Sequence, residues 1–111
     1  MKITTQHYDD VSVVELQGEF TGEFAKTFAD TLSSIVASAI SGIVLDMTKV
    51  SFIDSLSLEQ LLWLRDYCEE NNRQIKLAGL EEHCAKILEV TRLMEQFDIY
   101  QELAEAVKSF A

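Results

Sequence analysis

The spacing of apolar residues changes twice between residues 11 and 47, and that change limits the chain to few folds. Val11-Ser12-Val13-Val14-Glu15-Leu16-Gln17 mixes alternation with continuity, which suits a mostly buried strand, and Gly18 is expected to end it. Phe20, Phe24, Phe28, Leu32, Ile35, Val36 and Ala39 then recur at three- and four-residue steps, the stripe of an amphipathic helix over Thr21 to Ala39. Ser41-Gly42 breaks the stripe, and Ile43-Val44-Leu45-Asp46-Met47 reads as a short strand buried on both faces. A strand, a helix and a second strand form a crossover unit, so the two strands run parallel.

The rest of the sequence extends this pattern. Ile3 to Tyr8 is a weaker strand joined to the first by Asp9-Asp10, both turn formers, which gives an opening hairpin. Lys49 to Asp54 is expected to be a loop, followed by a helix from near Ser55 to Glu70 with Leu58, Leu61, Leu62, Arg65 and Cys68 at helical spacing. Asn71-Asn72 closes that helix, Gln74 to Ala78 makes the next strand, and Glu81 to Val90 makes a third helix. A short strand near Phe97 to Tyr100 and a terminal helix over Glu102 to Phe110 complete the chain, the helix carrying Leu103, Ala106, Val107 and Phe110 on one side. The expected fold is α/β: a single domain over residues 1–111, with a mixed, mostly parallel sheet of four to five strands and about four helices packed on it.

Charge and composition narrow the function. A formal net charge of −10 repels nucleic-acid backbones and acidic membrane surfaces, so neither is expected as a partner. A basic protein face would suit this field, although acidity also serves solubility alone. The first seven residues lack an apolar signal core and no apolar run reaches membrane-spanning length, so a cytoplasmic location is expected. Cys68 and Cys84 show no metal-ligand spacing with each other or with His7 and His83, and read as reduced thiols. The four glycines are scattered singly, which excludes a phosphate-binding loop and a dinucleotide fingerprint.

Carboxylates Glu19, Asp46 and Asp54 stand at strand or loop ends, but inventory alone is a weak signal for an acid–base pair, because surface charge accounts for most such carboxylates. A hydrolytic site built from Asp54, Ser55 and Glu19 lacks a nameable base or oxyanion donor, and Ser55 is not in a Gly-x-Ser-x-Gly elbow. The segment Val50-Ser51-Phe52-Ile53-Asp54-Ser55-Leu56-Ser57-Leu58 leads two short polar residues into a helix start, where either Asp54 or Ser55 can serve as the cap.

With its flanks, this segment resembles the STAS domain, the family of sulfate transporter and anti-sigma factor antagonist modules, and especially its stand-alone bacterial antagonists. The likeness runs through Gly18-Glu19-Phe20-Thr21, Ile43-Val44-Leu45-Asp46 and Val50 to Ser55. It continues through Ile75-Lys76-Leu77-Ala78-Gly79-Leu80 and the stretch from Val90 to Tyr100. The resemblance implies a protein-binding switch without catalytic residues, cofactor or metal. Its phosphoacceptor is the hydroxyl after the loop aspartate, here Ser55, and its contact face takes in Glu19, Thr21, Asp54, Leu56, Ser57 and Leu58. The implied partners are an anti-sigma factor that doubles as a serine-protein kinase with a histidine-kinase-like ATPase fold, and a cognate phosphatase; monomer and dimer are both open. Leu56 and Ser57 stand where the family usually has Ser or Thr and then Gly, and Thr21 replaces an aspartate. The alternative is a non-phosphorylated STAS scaffold, or an accessory subunit of a transport or lipid-trafficking system, in which Ser55 only caps the helix.

Overall fold

The computed structural model describes residues 1–38 and 40–110, so Ala39, the last residue of the expected stripe, lies outside it. Strands β1 (Lys2–Tyr8) and β2 (Val11–Phe20) form the opening hairpin, with Asp9 at φ 55°, a left-handed conformation that aspartate tolerates better than most residues. Helix α1 (Ala25–Ala37) leads to β3 (Gly42–Ile53), α2 (Ser55–Glu70), β4 (Gln74–Ala78) and α3 (Glu82–Val90). The short β5 (Asp98–Tyr100) and α4 (Leu103–Lys108) follow. The strands lie in the order β1-β2-β3-β4-β5, with the first pair antiparallel and the others parallel, as the alternation of strands and helices predicts.

Successive side chains of a strand point to opposite faces, and here both faces are buried. Val14, Leu16, Ile43, Leu45 and Leu77 pack against Phe28, Leu32, Ile35 and Val36 of α1, Leu61, Leu64 and Cys68 of α2, and Cys84 and Leu88 of α3. On the other face Val11, Val13, Val44 and Ala78 meet Ala106 of α4, flanked by Leu103, Val107 and Phe110. That second face also contains a charge. Lys76 is only 6% exposed, with its ammonium 4.2 Å from the centre of the Phe110 ring and 5.5 Å from that of Tyr100. It donates to Ser109 Oγ and lies 3.8 Å from Asp98.

Four local expectations are corrected. Gly18 does not end β2: it takes φ +110° between two shifts of register, and the strand continues to Phe20. A glycine adopts that angle without the penalty a side chain would bring, so the strand bulges and goes on. Because β2 continues, the expected loop over Lys49 to Asp54 instead extends β3 to Ile53, pairing Lys49 with Gln17, Phe52 with Glu19 and Ile53 with Phe20. Phe20 therefore closes a strand, and α1 begins only at Ala25, after a single 3-10 turn at Gly22–Phe24. In α2 the buried face includes Leu64 while Arg65 stays half-buried and bonds outward to Asp66 and Gln96.

Candidate functional site

A single residue, Asp54, separates the end of β3 from the start of α2 and is the joint between them. Its backbone is extended, and its carboxylate Oδ1 accepts the amide of Ser57 at 2.8 Å, which makes Asp54 the N-cap. Oδ2 accepts the amide of Gly22 at 3.0 Å, tying α2 to the 3-10 turn that follows β2. These amides, Gly22 first and then Ser57, hold the Asp54 carboxyl below the usual carboxylate range. Both oxygens are thus engaged and the group is a weak base, which disfavours a hydrolytic role beside Ser55.

With Asp54 as the cap, Ser55 is released from that duty. It is the first residue of α2, it is exposed, and its hydroxyl has no hydrogen-bond partner among the described residues. Ser57 is its opposite. Expected on the contact face, it is fully buried, and its hydroxyl donates to the carbonyl of Phe20 at 2.6 Å, the same carbonyl that accepts the Asp54 amide at 3.2 Å. A side chain without solvent exposure is unavailable to a partner, so Ser57 leaves that face for an internal position.

Four of the six expected contact residues come together. Glu19, Thr21, Asp54 and Leu56 line a shallow open groove with Gly22 and Glu23, and Ser55 stands beside it as the chain neighbour of two of them. Leu56 is 54% exposed, and Gly22 is required beneath it, since a Cβ there would overlap Leu56 Cδ1 and come within 2.9 Å of its Cβ. Leu58 is half-buried and packs against the main core. Glu23 and Gly22 join the groove without a signal in the sequence, and Phe52, paired with Glu19, is 40% exposed. Phe52 belongs to the part of β3 expected to be loop, and its pairing with Glu19 follows from the bulge at Gly18.

The fold that carries this groove is shared with known proteins. The STAS domain family model matches residues 2–106. The chain belongs to the STAS domain family. Solved STAS-like structures superpose closely despite low identity. An anti-sigma factor antagonist from Mycobacterium paratuberculosis is 21% identical, with a TM-score of 0.87 over 97% of this chain and 92% of that one. A sulfate transporter family protein from Wolinella succinogenes is 18% identical, with a TM-score of 0.82 over 92% and 85% of the two chains. The phosphorylated form of the Bacillus cell fate determinant SpoIIAA is 16% identical, with a TM-score of 0.78 over 99% of this chain and all of that one, 100%.

No group of three or more His, Cys, Asp or Glu is placed to hold a metal among the described residues, and no helix among them is long and apolar enough to cross a membrane. Cys68 and Cys84 are free and buried, and burial pushes both thiols up to about 11. Arg73 opposes that rise at Cys68, whereas Glu81 adds to it at Cys84.

Proposed function

We propose that this STAS domain is an anti-sigma factor antagonist controlled by phosphorylation at Ser55. In this reading the unphosphorylated protein binds an anti-sigma factor that is also a serine-protein kinase with a histidine-kinase-like ATPase fold. Transfer of the ATP γ-phosphoryl to Ser55 Oγ then releases it, and a cognate phosphatase resets the switch. A cytoplasmic location goes with this reading, because the kinase draws on ATP. The observation that carries the proposal is the contrast between two serines: Ser55 is exposed and unengaged, while Ser57 is buried and bonded.

A phosphoryl group on Ser55 would lie at the N-terminus of a sixteen-residue helix, where its charge is stabilised by roughly 0.3–1 kcal/mol. The fold accommodates it. A partner packed over exposed Leu56 would not, since burying a dianion without compensating cations costs several kcal/mol. Glu19, Glu23 and Asp54 border the same groove and supply no such cation.

Incubation with the candidate kinase and Mg-ATP should add one phosphate, mapped by peptide mass spectrometry to Ser55. Ser55→Ala should bind that kinase constitutively, and Ser55→Asp should bind on the order of tenfold more weakly, equivalent to about 1.4 kcal/mol. Equal affinity of the Asp variant and the wild type would remove the switch and favour the second reading, a STAS accessory domain of a transport or lipid-trafficking system. That reading is motivated by Leu56 and Ser57 in place of the usual hydroxyl and glycine, and by the structural likeness to the sulfate transporter family protein.

A further inference from the structure

The hydroxyl of Ser57 bridges two segments 37 residues apart in sequence. At one end is Phe20, which is anchored: its side chain is fully buried 5.0 Å from the ring of Phe28, and its backbone pairs with Ile53. At the other end is the first turn of α2, which carries Ser55 and Leu56. Terminal helical turns open more readily than the core, because their first amides lack partners within the helix. A glycine, the residue usual at this place in the family, could not make the bridge, having no hydroxyl.

We infer that Ser57 is a positioning residue that pins the turn bearing Ser55 and Leu56 to the core-anchored end of β2, and so fixes that turn against the Glu19–Glu23 side of the groove. A buried hydroxyl must find an acceptor, and Phe20 O, with two lone pairs, accepts both it and the Asp54 amide. Asp54 completes the arrangement from the other direction through Gly22. If Ser57 is cut back to Ala, Phe20 O keeps the Asp54 amide, but the first turn loses its side-chain hydrogen bond to β2. Ser57 touches no partner and acts only through where it holds its neighbours.

The functional meaning of the pin rests on the groove being the contact face proposed above, but the pin itself is tested in the free protein. Amide hydrogen exchange is followed by NMR at residues 22, 57 and 58, whose amides bond to Asp54, and at Val44 and Leu45 in β3 as a measure of global opening. Ser57→Ala should speed exchange at the first three by on the order of fivefold beyond any change at the two β3 amides. Ser57→Thr, which keeps the hydroxyl, should bring the rates back toward wild type, and Ser55→Ala, two residues away, should leave them unchanged. Acceleration spread evenly over β3 as well, no acceleration, or a Thr variant exchanging as fast as Ala would each overturn the inference. A phosphate mapped away from Ser55 would instead sink the proposed switch and leave the pin standing.

Discussion

Lys76 is the clearest place to test how this fold supports a buried charge, and replacing it by methionine separates the terms. The ammonium under α4 gains about 2 kcal/mol from the Phe110 and Tyr100 rings when desolvated, and roughly 1.5 kcal/mol from its charged hydrogen bond to Ser109. Asp98 lies 3.8 Å away but is 58% exposed, so that pair adds at most about 1 kcal/mol. Against this, dehydrating the ion costs several kcal/mol. Methionine keeps an unbranched apolar chain in the same space and regains roughly 0.3–1.5 kcal/mol of sulfur–aromatic contact. Lys76→Met should therefore lie within about 1.5 kcal/mol of wild type in urea unfolding followed by circular dichroism. Lys76→Ala discards both the ring contacts and the buried stem, at about 0.8 kcal/mol per methylene plus a cavity, and should lose about 3 kcal/mol or more. Equal losses for Met and Ala would show that the charge itself holds α4 down and that the cancellation is wrong.

Ser55→Ala should change stability by no more than about 0.5 kcal/mol, because Asp54 and not Ser55 caps α2; a larger drop in the melting curve would return the capping role to Ser55. The Asp54 carboxyl should titrate below its ordinary 3.8 when followed by carbon NMR. Since the folded value is the lower one, its contribution is present above the unfolded pKa and is lost as pH falls through the folded pKa, so a midpoint above 3.8 would contradict the two amide bonds. Cys68 and Cys84 should resist iodoacetamide at pH 8 until denaturant is added, and rapid alkylation of the native protein would contradict their burial. Their folded thiols stay protonated to about 11, against 9.0 as the ordinary value, so stability should hold below pH 9 and decline between 9 and 11.

Most of the fold was legible because local signals agreed with one another. The bounds of α2 and β4 follow directly from Ser55, Asn71-Asn72 and the run Gln74 to Ala78, and the strand alternation gave the parallel core. What escaped was controlled by one residue. Gly18 reads as a stop in a sequence window, yet a positive φ there lets β2 bulge and recruit Lys49 to Ile53 as its neighbour, a non-local pairing that periodicity does not carry. The same blindness hid Glu23 at the groove and Phe52 beside Glu19 in the sheet. Ser55 and Ser57 look alike in sequence, and only the rotation of α2 on the core separates them, with one hydroxyl facing outward and the other turned toward Phe20.

The strand order has a consequence for how such a chain reaches its native state. Every strand lies beside its neighbour in sequence, so none has to be inserted between two that are already paired. Each newly emerging strand on a ribosome can add to the growing margin of the sheet, starting from a hairpin that needs only the first twenty residues. Loop-closure penalties stay small at each addition, which favours rapid assembly from the amino end toward the carboxyl end. The margin closes last with the three-residue β5 and the α4 that covers it, so the Phe110 end of the molecule should be the final part to settle and, in the finished protein, the first to come undone.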